Sequence, residues 1–82
     1  AGEHAQARLA SVTIPAHATA AGRTLGETGV DADGVQVVSV RLSSGRVLSP
    51  NPDQRLAAGD TLVLAGMPEP LLAAEEKLTT GG

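Results

Sequence analysis

The apolar and polar positions fall into a short series of recognisable periods. In Leu9-Ala-Ser-Val-Thr-Ile-Pro15, Ala10, Val12 and Ile14 share one side while Ser11 and Thr13 share the other. A period of two is that of a half-buried strand, and Pro15 stops it. A loop of small residues, Ala16 to Gly22, follows. Thr24 and Glu27 then have the spacing of a capping box, in which each side chain satisfies a free backbone N–H at a helix start. Gly29 supplies the left-handed position that closes such a helix, which is too short to stand without packing. Val30-Asp-Ala-Asp-Gly34 reads as a turn.

The run from Val35 to Leu42 is the clearest strand, with Val38, Val40 and Leu42 expected on one face and Val37, Ser39 and Arg41 on the other. Ser43-Ser44-Gly45 signals a hairpin returning through Arg46 to Pro50. Pro50 and Pro52 cannot donate ladder hydrogen bonds, so the stretch from Pro50 to Leu56 is an irregular edge or loop. After Gly59-Asp60, Thr61 to Gly66 reads as a strand with Leu62 and Leu64 inward. From Pro68 to Leu78, Leu71, Ala74 and Leu78 share a helical face, and Pro68 and Pro70 sit where a helix start tolerates them. Strand, short helix, two hairpin strands, strand and helix make a small α+β, single-sheet β-α-β-β-β-α lobe with its helices packed on the sheet.

Composition adds a weakness to this picture. The 82 residues include no Phe, Trp or Tyr, the side chains that bury most area, and no Cys to staple the fold. A core built from Val, Leu, Ala and a single Ile gains stability by pairing with a second copy, so a homodimer is expected. The net charge is −3, and the six Lys and Arg are spread singly. Without clustered positive charge or stacking aromatics, nucleic acid is not an expected partner. No apolar run approaches the roughly 18–20 residues of a bilayer span, and no leader peptide is recognisable. The chain opens Ala1-Gly2 and closes Thr79-Thr80-Gly81-Gly82. Residues 1–8 are therefore expected to be a flexible lead-in or cloning remnant, 9–78 the domain and 79–82 a flexible tail, the whole cut from a longer protein.

Little in the chain suggests catalysis. Asp60 after Gly59 has the habit of a turn residue whose carboxylate folds back on local N–H groups, and no Ser, His or Lys lies at a telling spacing. His4 and His17 are thirteen apart in Ala-rich stretches, too few ligands for zinc. Glu27, Asp31 and Asp33 offer oxygen to a hard cation, but Val and Gln fill the remaining positions of a calcium loop. Phosphate-binding glycine motifs and nucleophile motifs are absent. The expectation is no enzyme, no catalytic residue and no metal site.

Taken in order, Gly22-Arg-Thr-Leu25 with Glu27, then Gly34-Val-Gln-Val-Val-Ser-Val-Arg41, then Pro50-Asn-Pro-Asp-Gln-Arg-Leu-Ala-Ala-Gly-Asp-Thr-Leu-Val-Leu-Ala-Gly66 resemble the TrkA-C (RCK_C) domain. The likeness runs from Leu9 to Leu78. Its phrasing is similar to copies at the cytoplasmic C-terminus of KefB-type monovalent cation/proton antiporters and to potassium transport gating proteins. The resemblance implies a lobe on the cytoplasmic side of the membrane, part of a membrane transport protein or of a membrane-associated subunit. It implies a homodimer that responds to a small regulatory ligand held in a cleft between the copies. By position in the family, Val30, Asp31, Ala32, Val35 and Gln36 line that cleft. A small nucleotide or a divalent cation are the ligand classes it implies. Cyclic di-AMP, bound by some members, is disfavoured because Asp31 stands where those members carry a basic residue. Each close like-charge contact with a phosphate costs about 1 kcal/mol. The competing expectation is a dimerisation module of the transporter that senses nothing.

Overall fold

In the computed structural model, which describes residues 6–81, these periods become one antiparallel sheet and a helix laid across it. The elements are β1 (Arg8–Thr13), α1 (Leu25–Thr28), a single 3-10 turn (Ala32–Gly34), β2 (Gln36–Arg41), β3 (Val47–Leu48), β4 (Thr61–Gly66) and α2 (Pro68–Thr79). The sheet order is β1-β4-β2-β3. The β4 strand is therefore central, which explains its almost unbroken apolar sequence. Its inward Leu62 and Leu64 are completely buried. Leu62 stands between Val12 and Val40, and Leu64 between Ala10 and Val37. Leu71, Ala74 and Leu78 of α2 close over this face, as their helical spacing predicts.

One expectation is corrected. The β2 strand does not alternate regularly: its register against β4 shifts between Val37 and Ser39. The inward residues are Val37 and Val40, three apart, facing Leu64 and Leu62, two apart. A bulge of one extra residue does this, and it turns Val38 out to solvent at 45% exposure instead of into the core. Leu42 is back on the core side, as expected.

The short helix behaves as its length demands. It buries Leu25, and its backbone is fastened to the proline-bearing loop. Leu25 N–H donates to Gln54 O at 2.8 Å and Gly26 N–H to Pro52 O at 2.9 Å, while Leu56 N–H returns to Arg23 O at 2.8 Å. Leu56 follows these bonds inward and is 1% exposed.

Asp60 is the turn residue its position suggests, and it is a structural knot. Its carboxylate is buried at 3% exposure. One oxygen accepts from Ser43 N–H at 3.1 Å and the other from Ala57 N–H at 2.9 Å. Its own carbonyl accepts from Ile14 N–H at 2.9 Å. The carboxylate thus ties the segment after β2 to the turn before β4, and the backbone carbonyl of the same residue holds the end of β1.

Candidate functional site

The local sequence around α1 builds a cleft. Thr24 caps the helix as expected: Glu27 N–H donates to its Oγ1 at 3.2 Å, and Thr24 N–H donates to Glu27 Oε1 at 2.8 Å. Gly29 closes the helix in the left-handed conformation at φ 63°. The chain then anchors Val30 in the core at 1% exposure, turns through Ala32–Gly34 and enters β2. The opposite wall is the proline loop, which approaches α1 so closely that a Cβ at Gly26 would sit 3.2 Å from Pro52 O and 3.3 Å from Pro52 Cβ. A side chain there would push the wall away.

Between the walls lies an open cleft of about 340 Å³. Its floor and sides come from Leu25 and Gly26 of α1, Asp31 of the turn, Val35 to Val37 at the start of β2, and Pro50, Asn51 and Pro52 of the loop. Asp31, Val35 and Gln36, three of the residues expected from the family position, are brought together here. Val30 is not among the lining residues, because its side chain fills the core, and Ala32, exposed on the turn, does not line the cleft either. The residues that sequence reading missed are those of the opposite wall. The Pro-Asn-Pro phrase was the available signal, since two prolines in a loop fix its backbone. Its pairing with α1 has no periodicity to betray it.

The acidic residues do not converge. Glu27 is committed to the capping box, and Asp31 makes no capping hydrogen bond. His17 is exposed in the loop after β1, whereas His4 and the Asp33 side chain lie outside the described residues. Among the described residues no three His, Cys, Asp or Glu side chains come together.

Glu27 carries a consequence for pH. The Thr24 N–H bond, seconded by the Thr24 hydroxyl, holds its carboxyl below the ordinary value of 4.5 against the opposing effect of burial, with lesser help from Arg55 and Arg23. A carboxyl depressed on folding stabilises the fold above its unfolded pKa, and that contribution is lost as pH falls through the folded value. Thermal melts of the wild type and Glu27→Gln should therefore differ at pH 7, with the variant lower. The gap should narrow as pH falls through the lowered value, where the wild-type side chain becomes the neutral acid. An unchanged gap at acid pH would mean that the charge contributes nothing.

The family model of the TrkA-C domain matches residues 9–79, and the chain belongs to that family of regulatory lobes. Among solved structures, it is similar to the GsuK RCK domain, with 26% identity and a TM-score of 0.76 over 93% of this chain and 16% of that one. The GsuK channel bound to NAD is similar at 25% identity and a TM-score of 0.70, covering 88% of this chain and 13% of that one. The RCK_C domain dimer of S. agalactiae BusR in complex with c-di-AMP shares the fold, with a TM-score of 0.68 at 19% identity over 85% of this chain and 86% of that one. The chain thus spans about 16% of the length of the GsuK chain it matches. No curated protein matches it. Among the described residues, no helix is long and apolar enough to cross a membrane.

Proposed function

We propose that this chain is the cytoplasmic, ligand-sensing lobe of a monovalent cation transporter, an antiporter or a channel, and that it acts without catalysis. The observation that carries the reading is the cleft beside α1, walled by three segments that all fall inside the TrkA-C match. Support comes from the relatives: a GsuK channel is bound to NAD, and the BusR RCK_C domain is a dimer holding c-di-AMP. The mechanism is linkage. Two copies pair, a small ligand prefers one arrangement of the pair, and the shift in population biases the attached membrane domain. Calorimetry and thermal melts against nucleotides, cyclic dinucleotides, organic cations and divalent metals test it. A ligand that raises the melting temperature in proportion to its occupancy is the expected result, and silence from every class would remove sensing.

A second reading, a dimerisation module alone, is favoured by the apolar surface between β1 and α2. There Leu9 and Leu72 are 71% and 62% exposed beside Pro68 and Leu71. It requires a dimer by sedimentation whose melting temperature no ligand moves.

A further inference from the structure

The chemistry of the cleft walls points to the class of ligand, an inference that rests on the sensing role proposed above. An anion site needs basic side chains or free backbone N–H groups aimed into it. Among the described residues this cleft has no basic side chain, and three of its backbone N–H groups are already taken. Leu25, Gly26 and Val35 have their N–H groups engaged by Gln54 O, Pro52 O and Ala32 O at 2.8, 2.9 and 3.4 Å. Pro50 and Pro52 have no N–H to offer. Among the described side chains no Lys, Arg or His lines the space, and the charged one that does is Asp31, exposed and without a capping hydrogen bond.

The neutral groups do not alter the sign. Asn51 has its side-chain oxygen occupied by Asp53 N–H at 2.9 Å, and Gln36 presents an amide that serves donors and acceptors alike. The remaining surface, from Leu25, Val35, Val37 and the two prolines, is apolar. Two kinds of cation are excluded by what is missing. A hard divalent metal takes about six oxygen ligands, and among the described side chains Asp31 is the one carboxylate here. A quaternary ammonium is recognised by an aromatic cage, and the chain has no aromatic residue of the Phe, Trp or Tyr type.

We infer that the cleft binds a small organic cation that carries its own N–H donors, a primary ammonium or a guanidinium on a short apolar body. The ammonium or guanidinium meets the Asp31 carboxylate in a charge-assisted hydrogen bond, and the body lies along Val35, Val37 and the prolines.

The test is an NMR titration of the full 82-residue chain, isotope-labelled, with agmatine and spermidine. Cyclic di-AMP, NAD and Mg²⁺ serve as competitors. Saturable shifts confined to Gly26, Asp31, Gln36 and Asn51 are expected with the amines, weakening as salt is raised. Asp31→Asn should weaken binding at least tenfold, and Asp31→Lys should abolish it while leaving the spectrum of a folded protein. Saturation of the cleft by a nucleotide or by Mg²⁺, with the amines inert, would overturn the ligand class and leave sensing intact. Amine binding that Asp31→Lys does not weaken overturns it too. If no compound of any class perturbs the cleft, the sensing role and the ligand class fall together.

Discussion

Asp60→Ala is expected to lose about 2–4 kcal/mol of stability, because it empties a buried site and strands two part-buried N–H groups that its carboxylate now satisfies. One bond reaches across to Ser43 after β2 and the other goes to Ala57 in the turn before β4. Removing the carboxylate leaves Ser43 N–H and Ala57 N–H without a protein partner and opens a space that water has to fill. For a domain of this size, each kcal/mol shifts the melting temperature by roughly 4–8 °C, so a fall of about 10–25 °C is expected. Asp60→Asn distinguishes charge from geometry. The amide keeps one oxygen for one of the two N–H groups and turns an NH₂ toward the other, so it should recover only part of the loss. Chemical denaturation of the three proteins checks this, and a fully stable Asp60→Ala would show that the carboxylate ties nothing together.

Most of the fold was legible because its signals are local. The capping box at Thr24 and Glu27, the left-handed Gly29, the period of two in β1 and β4 and the helical spacing of Leu71, Ala74 and Leu78 all depend on neighbours within a few residues. Two features were not. The bulge in β2 depends on how that strand meets β4, and Val37-Val38-Ser39-Val40 reads equally well in either phase. The buried loop residues Ala18, Ala20, Val30 and Leu56 have no periodicity, since they reach the core from turns.

The site was half legible for the same reason. Asp31, Val35 and Gln36 were expected in a cleft between two copies; within one copy they line the hollow beside α1. The facing wall did not follow. Pro50, Asn51 and Pro52 lie about two dozen positions down the chain from Leu25 and Gly26, and only the backbone bonds at Gln54 and Pro52 bring the segments together. Val30 was expected in the cleft from the family position, yet its side chain turns into the core.

The bulge and the composition meet in the second large effect. Leu64→Ala removes a side chain with no exposure at all from the centre of the sheet, where its strand neighbours are Ala10 and Val37. Burial of this kind costs about 2–5 kcal/mol when a leucine becomes alanine, the larger values belonging to sites that cannot collapse. Collapse is difficult here: Ala10 is too small to swing into the space, β-branched Val37 is stiff at χ1, and no ring is available to slide over. We expect a loss in the upper half of that range. A domain of this length has roughly 4–12 kcal/mol in total, so the variant approaches the unfolding threshold at physiological temperature. Val38→Ala is the matched control. Under regular alternation Val38 would be an inward neighbour of Val40 and its truncation would be felt. With the bulge it points to solvent, and a change at such a position is usually within about 0.5 kcal/mol. Denaturation midpoints for the pair, read with unchanged slopes, separate the two phases of the strand. Equal losses at Val38 and Leu64 would place Val38 inside and remove the bulge.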